Sequence, residues 1–254
     1  MPQTQRPESE RVTVVVDTVP RLVGFFAQAV LAAALDGVGA RGRFVIAIPG
    51  GSAATTLLPG LRSVAVPWES TDVFWTDERA VPPDSPDSNF GTARAILFGS
   101  GPAAAAQLHP IRLDRSMGVD VTGPVEAALM AAGRIDLALL GLGEDGHTCS
   151  LFPGHAALEE RHRLLVPVTN APKPPSNRAT LTFPGLARVE SIWVGAFGAT
   201  KAAAAASALT NPLDHRPLAQ AVREARRVVF LLDGPAATRL PPGFTTRRPL
   251  GGLE

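Results

Sequence analysis

The stretch Leu137–Gly154, LALLGLGEDGHTCSLFPG, decides how the chain is read. It opens with the apolar run Leu137 to Leu140, the kind of segment that fills a parallel strand buried on both faces. Gly141, Gly143 and Gly146 follow, and glycine lets a chain turn tightly and lets a ligand approach its backbone. Asp145 and His147 lie inside that turn. Open α/β sheets bind ligands beyond the C-terminal ends of their strands. His147 is therefore the leading candidate for acid–base chemistry. The three glycines also fit G-x-G-x-x-G, the dinucleotide fingerprint, with Glu159 or Glu160 as the ribose acid. That motif needs a long helix directly behind its third glycine. Here Pro153 and Gly154 interrupt the chain, and the glutamates precede the next apolar run, Leu164 to Val168, instead of closing it.

At 254 residues the chain is long enough to bury a sizeable core as one large domain. Hydrophobic residues make up 45% and charged residues 19%, as in a globular enzyme. A formal net charge of +1 gives no bulk attraction to nucleic acid or membrane. The single cysteine, Cys149, excludes an intrachain disulfide and suits a reducing compartment. No apolar run reaches the ~18 residues of a membrane span, and the polar first ten residues contain no secretory h-region. The expected location is cytoplasmic. The absence of tyrosine rules out a phenolic acid or base.

Strands and helices alternate along most of the chain. Residues 1–10 read as a disordered or loosely packed N-terminus, 11–240 as a single α/β domain, and 241–254 as an irregular tail rich in proline and arginine. Val12 to Val16 is a β-branched strand, and Arg21 to Leu35 is a helix expected to end near Gly37. Phe44 to Ile48 is a buried strand that runs into Pro49, Gly50, Gly51 and Ser52, then a helix. The first amides of a helix lack partners and bind anions, so this turn is either an anion site or a plain N-cap by Ser52. Lacking a Lys-Ser/Thr pair, it is not a Walker A loop. Val73 to Trp75 is a strand followed by Thr76, Asp77, Glu78 and Arg79. That cluster reads either as a solvated turn or as a phosphate site, with Arg79 binding the anion and Asp77 orienting that anion or a sugar hydroxyl.

Phe90 to Phe98 and Val121 to Ala132 are helix candidates, and the alanines at 103–106 also favour helix. Leu108 to Ile111 is a short strand whose His109 reads as structural. After the strand Leu164 to Val168, Pro172, Lys173, Pro174 and Pro175 form a stiff loop, and Arg178 to Phe183 alternates like a strand. Ile192 to Phe197 and Val228 to Leu232 complete the set. Lys201 sits in the expected first turn of an alanine-rich helix, where it opposes the helix dipole. A bound anion would remove that conflict. The pattern argues for a three-layer α/β sandwich, a largely parallel Rossmann-like sheet flanked by helices.

GLGEDGHTCSLFPG closely resembles the signature of the 6-phosphogluconolactonase family. Further segments carry the likeness, and it spans nearly the whole length. Pro49 to Ser52 is similar to the family's S-G-G-S-type loop. Asp77-Glu78-Arg79, Val81-Pro82 and Ser88-Asn89 are similar to its D-E-R-x-V-P…S-N/T pattern, with Phe90 where members often carry tyrosine. Gly198 to Ala202 is similar to its G-x-x-K-A. Arg178-Ala179-Thr180-Leu181-Thr182 resembles its R-x-T-L-T strand, which makes Arg178 a ligand candidate and not an ordinary surface arginine.

The resemblance implies a sheet shared with sugar-phosphate isomerases and hydrolysis of 6-phospho-D-glucono-1,5-lactone to 6-phosphogluconate in the oxidative pentose phosphate pathway. His147, Asp77 and Arg79 are then the expected catalytic residues. Gly50, Gly51, Ser52, Asn89, Gly143, Asp145, Arg178 and Lys201 are expected to bind substrate. Asp145 holds either the imidazole or the loop. The other classes weighed are an amino-sugar-phosphate isomerase/deaminase and a non-catalytic sugar-phosphate sensor. Such deaminases carry an acidic residue, typically N-E-P-G, after the histidine, whereas this chain has Ser150-Leu151-Phe152-Pro153-Gly154. No cofactor and no metal are expected, because the five histidines are scattered and His147 and His155 form no helical pair. Cys149 stands too close to His147 in sequence for a thiolate–imidazole pair. Neither nucleic acid nor membrane is an expected partner, and the expected state is a monomer or weak homodimer.

The position of Lys201 generates a test. Lys201→Ala is expected to weaken binding of 6-phosphogluconate by about 1.5–3 kcal/mol, the range for hydrogen bonds to charged groups. Titration calorimetry reads this directly, and an unchanged affinity removes Lys201 from the site.

Overall fold

The computed structural model describes residues 11–113, 122–242 and 244. The expected N-terminal segment and all of the expected tail except Pro241, Pro242 and Phe244 lie outside the described residues, as does Val121 at the start of one expected helix. In chain order the main elements are β1 (Val12–Val16), α1 (Val19–Arg41), β2 (Phe44–Ile48), α2 (Gly51–Leu57), β3 (Thr71–Trp75), β4 (Asp77–Arg79), α3 (Asn89–Ala93) and β5 (Gln107–His109). There follow α4 (Gly123–Ala132), β6 (Ile135–Gly141), β7 (Leu165–Val168), β8 (Arg178–Leu181), β9 (Val189–Ala196), α5 (Ala202–Thr210), α6 (Pro217–Glu224) and β10 (Val228–Leu232).

Seven strands form one sheet in the order β1-β10-β9-β6-β2-β3-β5. Every pairing in it is parallel. The apolar runs that suggested buried strands fill its centre: β2, β3 and β10 are buried throughout, as are Ile135–Leu140 of β6. From β2 the chain moves outward to β3 and β5. It then returns to β6 beside β2 and moves the other way, to β9 and β10. The strand order thus reverses between β2 and β6, and a crevice opens beyond their C-terminal ends.

Two expected strands do not join this sheet. β7 and β8 pair with β4 in a separate antiparallel sheet of order β4-β8-β7. The residues after Trp75 are therefore a strand, not a solvated turn, and Asp77 and Glu78 are buried. Thr76 links the two sheets, its amide donating to the Ile48 carbonyl at 2.9 Å and its carbonyl accepting from Leu181 at 2.8 Å. The helix expected at 90–98 divides into α3 and a wider turn over Arg94–Phe98.

Helix α1 runs through Gly37 and ends at Gly42, whose positive φ of 74° places it in the left-handed region that closes helices. Gly37 serves packing, not termination. A Cβ there would meet the Arg43 carbonyl at 3.0 Å and Asp136 Oδ2 at 3.3 Å. At 23 residues α1 is long and apolar enough to cross a membrane by length and composition, which corrects the expectation that no segment reaches that length. It packs against β2, however, through one stripe: Leu22, Phe26, Ala27, Val30, Ala34 and Gly37. Helix α2 lies low over β6 and β9 because Gly195 opposes it. A Cβ on Gly195 would come within 3.1 Å of Leu57 and 3.2 Å of Ala53.

His109 is structural, stacked on Phe74 at 4.3 Å with Nε2 2.7 Å from Asp72 Oδ1. At the end of the sheet away from the crevice, buried Asp136 accepts from the Val45 amide at 2.9 Å, from Arg41 Nη2 at 2.6 and 2.7 Å, and from Arg134 Nε at 3.2 Å. Asp136→Ala is expected to cost about 3 kcal/mol, because it strands a buried amide and two guanidinium groups. Urea denaturation checks this. A loss below about 0.5 kcal/mol, the scale of ordinary surface changes, would contradict it.

Candidate active site

The crevice is an open cleft of about 320 Å³ lined from six chain segments. The β2 turn gives Pro49 to Ala53, β4 gives Asp77 and Arg79, and the β6 turn gives Gly141 to Glu144, His147 and Cys149. Lys173 comes from the β7–β8 loop, Arg178 from β8, and Lys201 from the turn that precedes α5. The expected residues Gly50, Gly51, Ser52, Asp77, Arg79, Gly143, His147, Arg178 and Lys201 all converge here.

The β6 turn presents the histidine. The Gly143 amide donates to the His147 carbonyl at 2.8 Å and the Gly146 amide to the Gly143 carbonyl at 2.9 Å. Gly146 has a positive φ of 82°, and its missing side chain leaves room for Arg216. The Gly146 carbonyl accepts from Leu218 in the first turn of α6 at 3.1 Å. Arg216 is in turn fixed by Asp214, with contacts of 2.9 and 2.6 Å that hold the Asp214 carboxyl well below the usual carboxylate range. After Gly146 the chain stays irregular as far as the short turn Ala156–Glu159, so the helix that a dinucleotide fingerprint needs is missing.

Asp145 holds the imidazole as well as the loop. Its Oδ1 lies 2.5 Å from His147 Nδ1, which leaves Nε2 as the nitrogen without a hydrogen-bond partner among the described residues. The ring rests on buried Phe152 at 4.6 Å. Burial pushes the imidazole below the ordinary histidine value, and the charge of Lys173 adds to this against the opposing pull of Asp145. For Asp145, burial raises the carboxyl. The hydrogen bond and charge of His147 and the charge of Lys173 outweigh that, and leave it below its usual range.

Asp77 and Arg79 project to one side of β4, as alternate residues of a strand must. Both carboxylate oxygens of Asp77 are engaged by protein groups. Its Oδ1 accepts from Asn89 Nδ2 at 3.1 Å and its Oδ2 from Ser150 Oγ at 2.7 Å. Arg79 Nη1 instead donates to the Asp87 carbonyl at 2.8 Å. Glu78 faces the other way and is the buried acceptor for the α3 start, taking the amides of Asn89 and Phe90 at 2.8 and 2.7 Å. Burial raises its carboxyl despite those bonds.

Asn89 is not on the cleft surface, which corrects its expected place among the ligands. It is buried, bonds Asp77, and occupies the space that a Gly50 side chain would need. Ser52 lies inside α2, whose N-cap is Gly50, and makes no capping bond. Lys201 ends the short turn Ala199–Lys201 and stands at the N-cap of α5, directly before its first turn, with Nζ 3.8 Å from Glu144 Oε1.

Arg178 is buried, and its guanidinium is largely committed. Nε donates to the Pro175 carbonyl at 2.8 Å, Nη2 to those of Lys173 and Pro174 at 3.0 and 3.1 Å, and Nη1 to Ser150 Oγ at 3.3 Å. Two residues of the site were missed in the sequence, Lys173 on the cleft surface and Ser150 buried behind it. Lys173 carried only the signal of a cation in a proline-rich loop, and Ser150 had none beyond the family motif. Cys149 lines the cleft, but burial, and then the nearby Asp77 charge, push its thiol far up and keep it protonated. No metal-binding group of His, Cys, Asp or Glu occurs among the described residues.

A neutral imidazole backed by a carboxylate, facing four cations across an open crevice, suits proton transfer on an anionic substrate. The family model of the glucosamine-6-phosphate isomerases/6-phosphogluconolactonases matches residues 17–235. The chain belongs to this family. The 6-phosphogluconolactonase of Mycobacterium tuberculosis is 35% identical over 222 residues, covering 80% of this chain and 88% of that protein. That of Rattus norvegicus is 34% identical over 224 residues, covering 81% and 84%. The solved 6-phosphogluconolactonase of Trypanosoma brucei superposes with a TM-score of 0.79 at 26% identity, covering 91% of this chain and 99% of that one. The family joins two reactions on one fold, so the site must decide between them.

Close approach at Gly143 generates a test. A side-chain carbon there would overlap the His147 ring and crowd Asp145 Oδ1. Gly143→Ala is expected to lower kcat by about 10²-fold, the cost of displacing a reacting group by an ångström. Steady-state kinetics on protein with an unchanged circular dichroism spectrum checks this.

Proposed function

We propose that this chain hydrolyses 6-phospho-D-glucono-1,5-lactone to 6-phospho-D-gluconate, with His147 as general base. The observation that carries the reading is the Asp145–His147 pair, 2.5 Å apart, on the rim of a cleft lined by Arg79, Lys173, Arg178 and Lys201. Nδ1–H donates to Asp145, so Nε2 is free to take a proton from water as the oxygen attacks the lactone carbonyl carbon. The negative charge that develops on the carbonyl oxygen is met by Arg79 or by amides of the glycine turn. When the intermediate collapses, the bond from that carbon to the ring oxygen breaks. The imidazolium returns its proton to the ring oxygen, leaving a carboxylate and a hydroxyl. Lys201, with the Gly51 and Ser52 amides at the start of α2, takes the phosphate.

The deaminase reading lacks its acidic residue: none stands between His147 and Gly154, where Ser150 instead bonds Asp77 and Phe152 supports the imidazole. A non-catalytic sensor would have no need of a buried, carboxylate-backed histidine. The reading keeps a cytoplasmic setting and a monomer or weak homodimer.

The direct test is the hydrolysis rate of freshly generated lactone against the uncatalysed rate. His147→Asn is expected to lower kcat by about 10²–10⁴-fold with product affinity little changed. The base works unprotonated. Activity should therefore rise with pH through a limb that lies below the ordinary histidine value, since burial lowers His147, and then flatten. The spontaneous rate must be subtracted at each pH. A variant that turns over like the wild type with its acid limb intact places the base elsewhere, with Asp77 next in line.

A further inference from the structure

Lys173 has no role in the reaction as outlined, yet it is a charged group held against the acid–base pair from outside the histidine's own turn. Its Nζ lies 3.4 Å from Asp145 Oδ2 and 3.5 Å from His147 Nδ1. The Asp145 carboxylate is thus divided, with Oδ1 on the imidazole and Oδ2 on the ammonium. Lys173 is not left to find this place by chance. The carbonyls of Lys173, Pro174 and Pro175 all accept from the buried Arg178 guanidinium, which is also over the Phe152 ring at 5.4 Å. That ring in turn supports His147. A long, half-exposed side chain usually gains little from an ion pair because it must be ordered to make one. Here the loop is ordered by buried bonds before the pair forms.

We propose that Lys173 is a positioning residue and the third member of the His147–Asp145 unit, a cation that Arg178 parks beside the imidazole to oppose its protonation and to hold the carboxylate in line. The proposal deepens the lactonase reading and rests on it for the meaning of the proton transfer. The physical case is charge geometry. A protonated His147 and Lys173 would place two cations against one carboxylate, whereas a neutral His147 leaves the carboxylate shared between a donor and an ammonium. The other charges around His147 are Asp77 and Arg79 on β4, Glu144 in its own turn, Arg178 on β8, Lys201 before α5 and Arg216 behind Gly146. Among the described residues, none of these is hydrogen-bonded or ion-paired to Nδ1, and Asp77 acts in the opposite sense to Lys173. Arg178 on this account acts through the loop more than on the substrate.

The test follows the His147 ring signal by NMR across pH in the full-length chain, assigned by its loss in His147→Gln. Lys173→Met is expected to move the His147 midpoint to higher pH, and Lys173→Arg to return it toward the wild-type position. In parallel, the acid limb of kcat/KM should move the same way. The loss at acidic pH should be on the order of threefold to tenfold, a tenfold change corresponding to one unit, and smaller on the alkaline plateau. An unmoved ring titration in Lys173→Met overturns the proposal. So does a higher KM with the titration in place, which would make Lys173 a substrate ligand instead. The ring titration needs no substrate, so a wild-type chain that fails to hydrolyse the lactone would sink the functional reading while still deciding the role of Lys173.

Discussion

One buried carboxylate joins the two halves of the cleft. Asp77 accepts from Asn89 on one oxygen and from Ser150 on the other. Through Asn89 it reaches the β2 turn, because that side chain fills the volume a residue larger than glycine would take at position 50. Through Ser150 it reaches the histidine loop and the Arg178 guanidinium. A buried charge is tolerated only when its lone pairs are met, and a network met in full fixes one arrangement where an apolar contact would allow several. The β2 turn, β4, the β6 turn and β8 are therefore registered to one another by directional bonds.

The same economy governs the cations. Arg178 spends most of its donors on backbone carbonyls, Arg79 gives one to Asp87, and Lys201 stands near Glu144. The cleft is positively lined, but its charges are positioned by protein groups before any anion arrives. Such preorganisation spares a bound ligand the cost of gathering them.

Much of this was legible locally. The apolar runs at Phe44–Ile48 and Leu137–Leu140 meant buried parallel strands, and the glycine turns behind them meant a ligand edge, because both depend on neighbours in sequence. What failed depended on neighbours in space. Nothing near Asp77 says that it pairs with Thr180 across an antiparallel ladder, so the small sheet and the burial of Glu78 were hidden. Asn89 looked like a ligand because its motif sits beside the site, whereas its amide is consumed within the wall. Gly37 looked like a helix end because its packing partner, Asp136, is almost a hundred residues away.

The cleft draws on segments from the β2 turn to Lys201, and its central loop hangs from β6, the strand between β2 and β9. No contiguous fragment of the chain holds a working constellation. Parallel neighbours distant in sequence must close large loops before they gain anything from pairing. The geometry around His147 therefore forms only when the middle of the sheet is complete. Catalysis in this architecture is a report on the whole sheet, and damage far from the cleft that loosens β6 or β9 would be felt first as lost turnover.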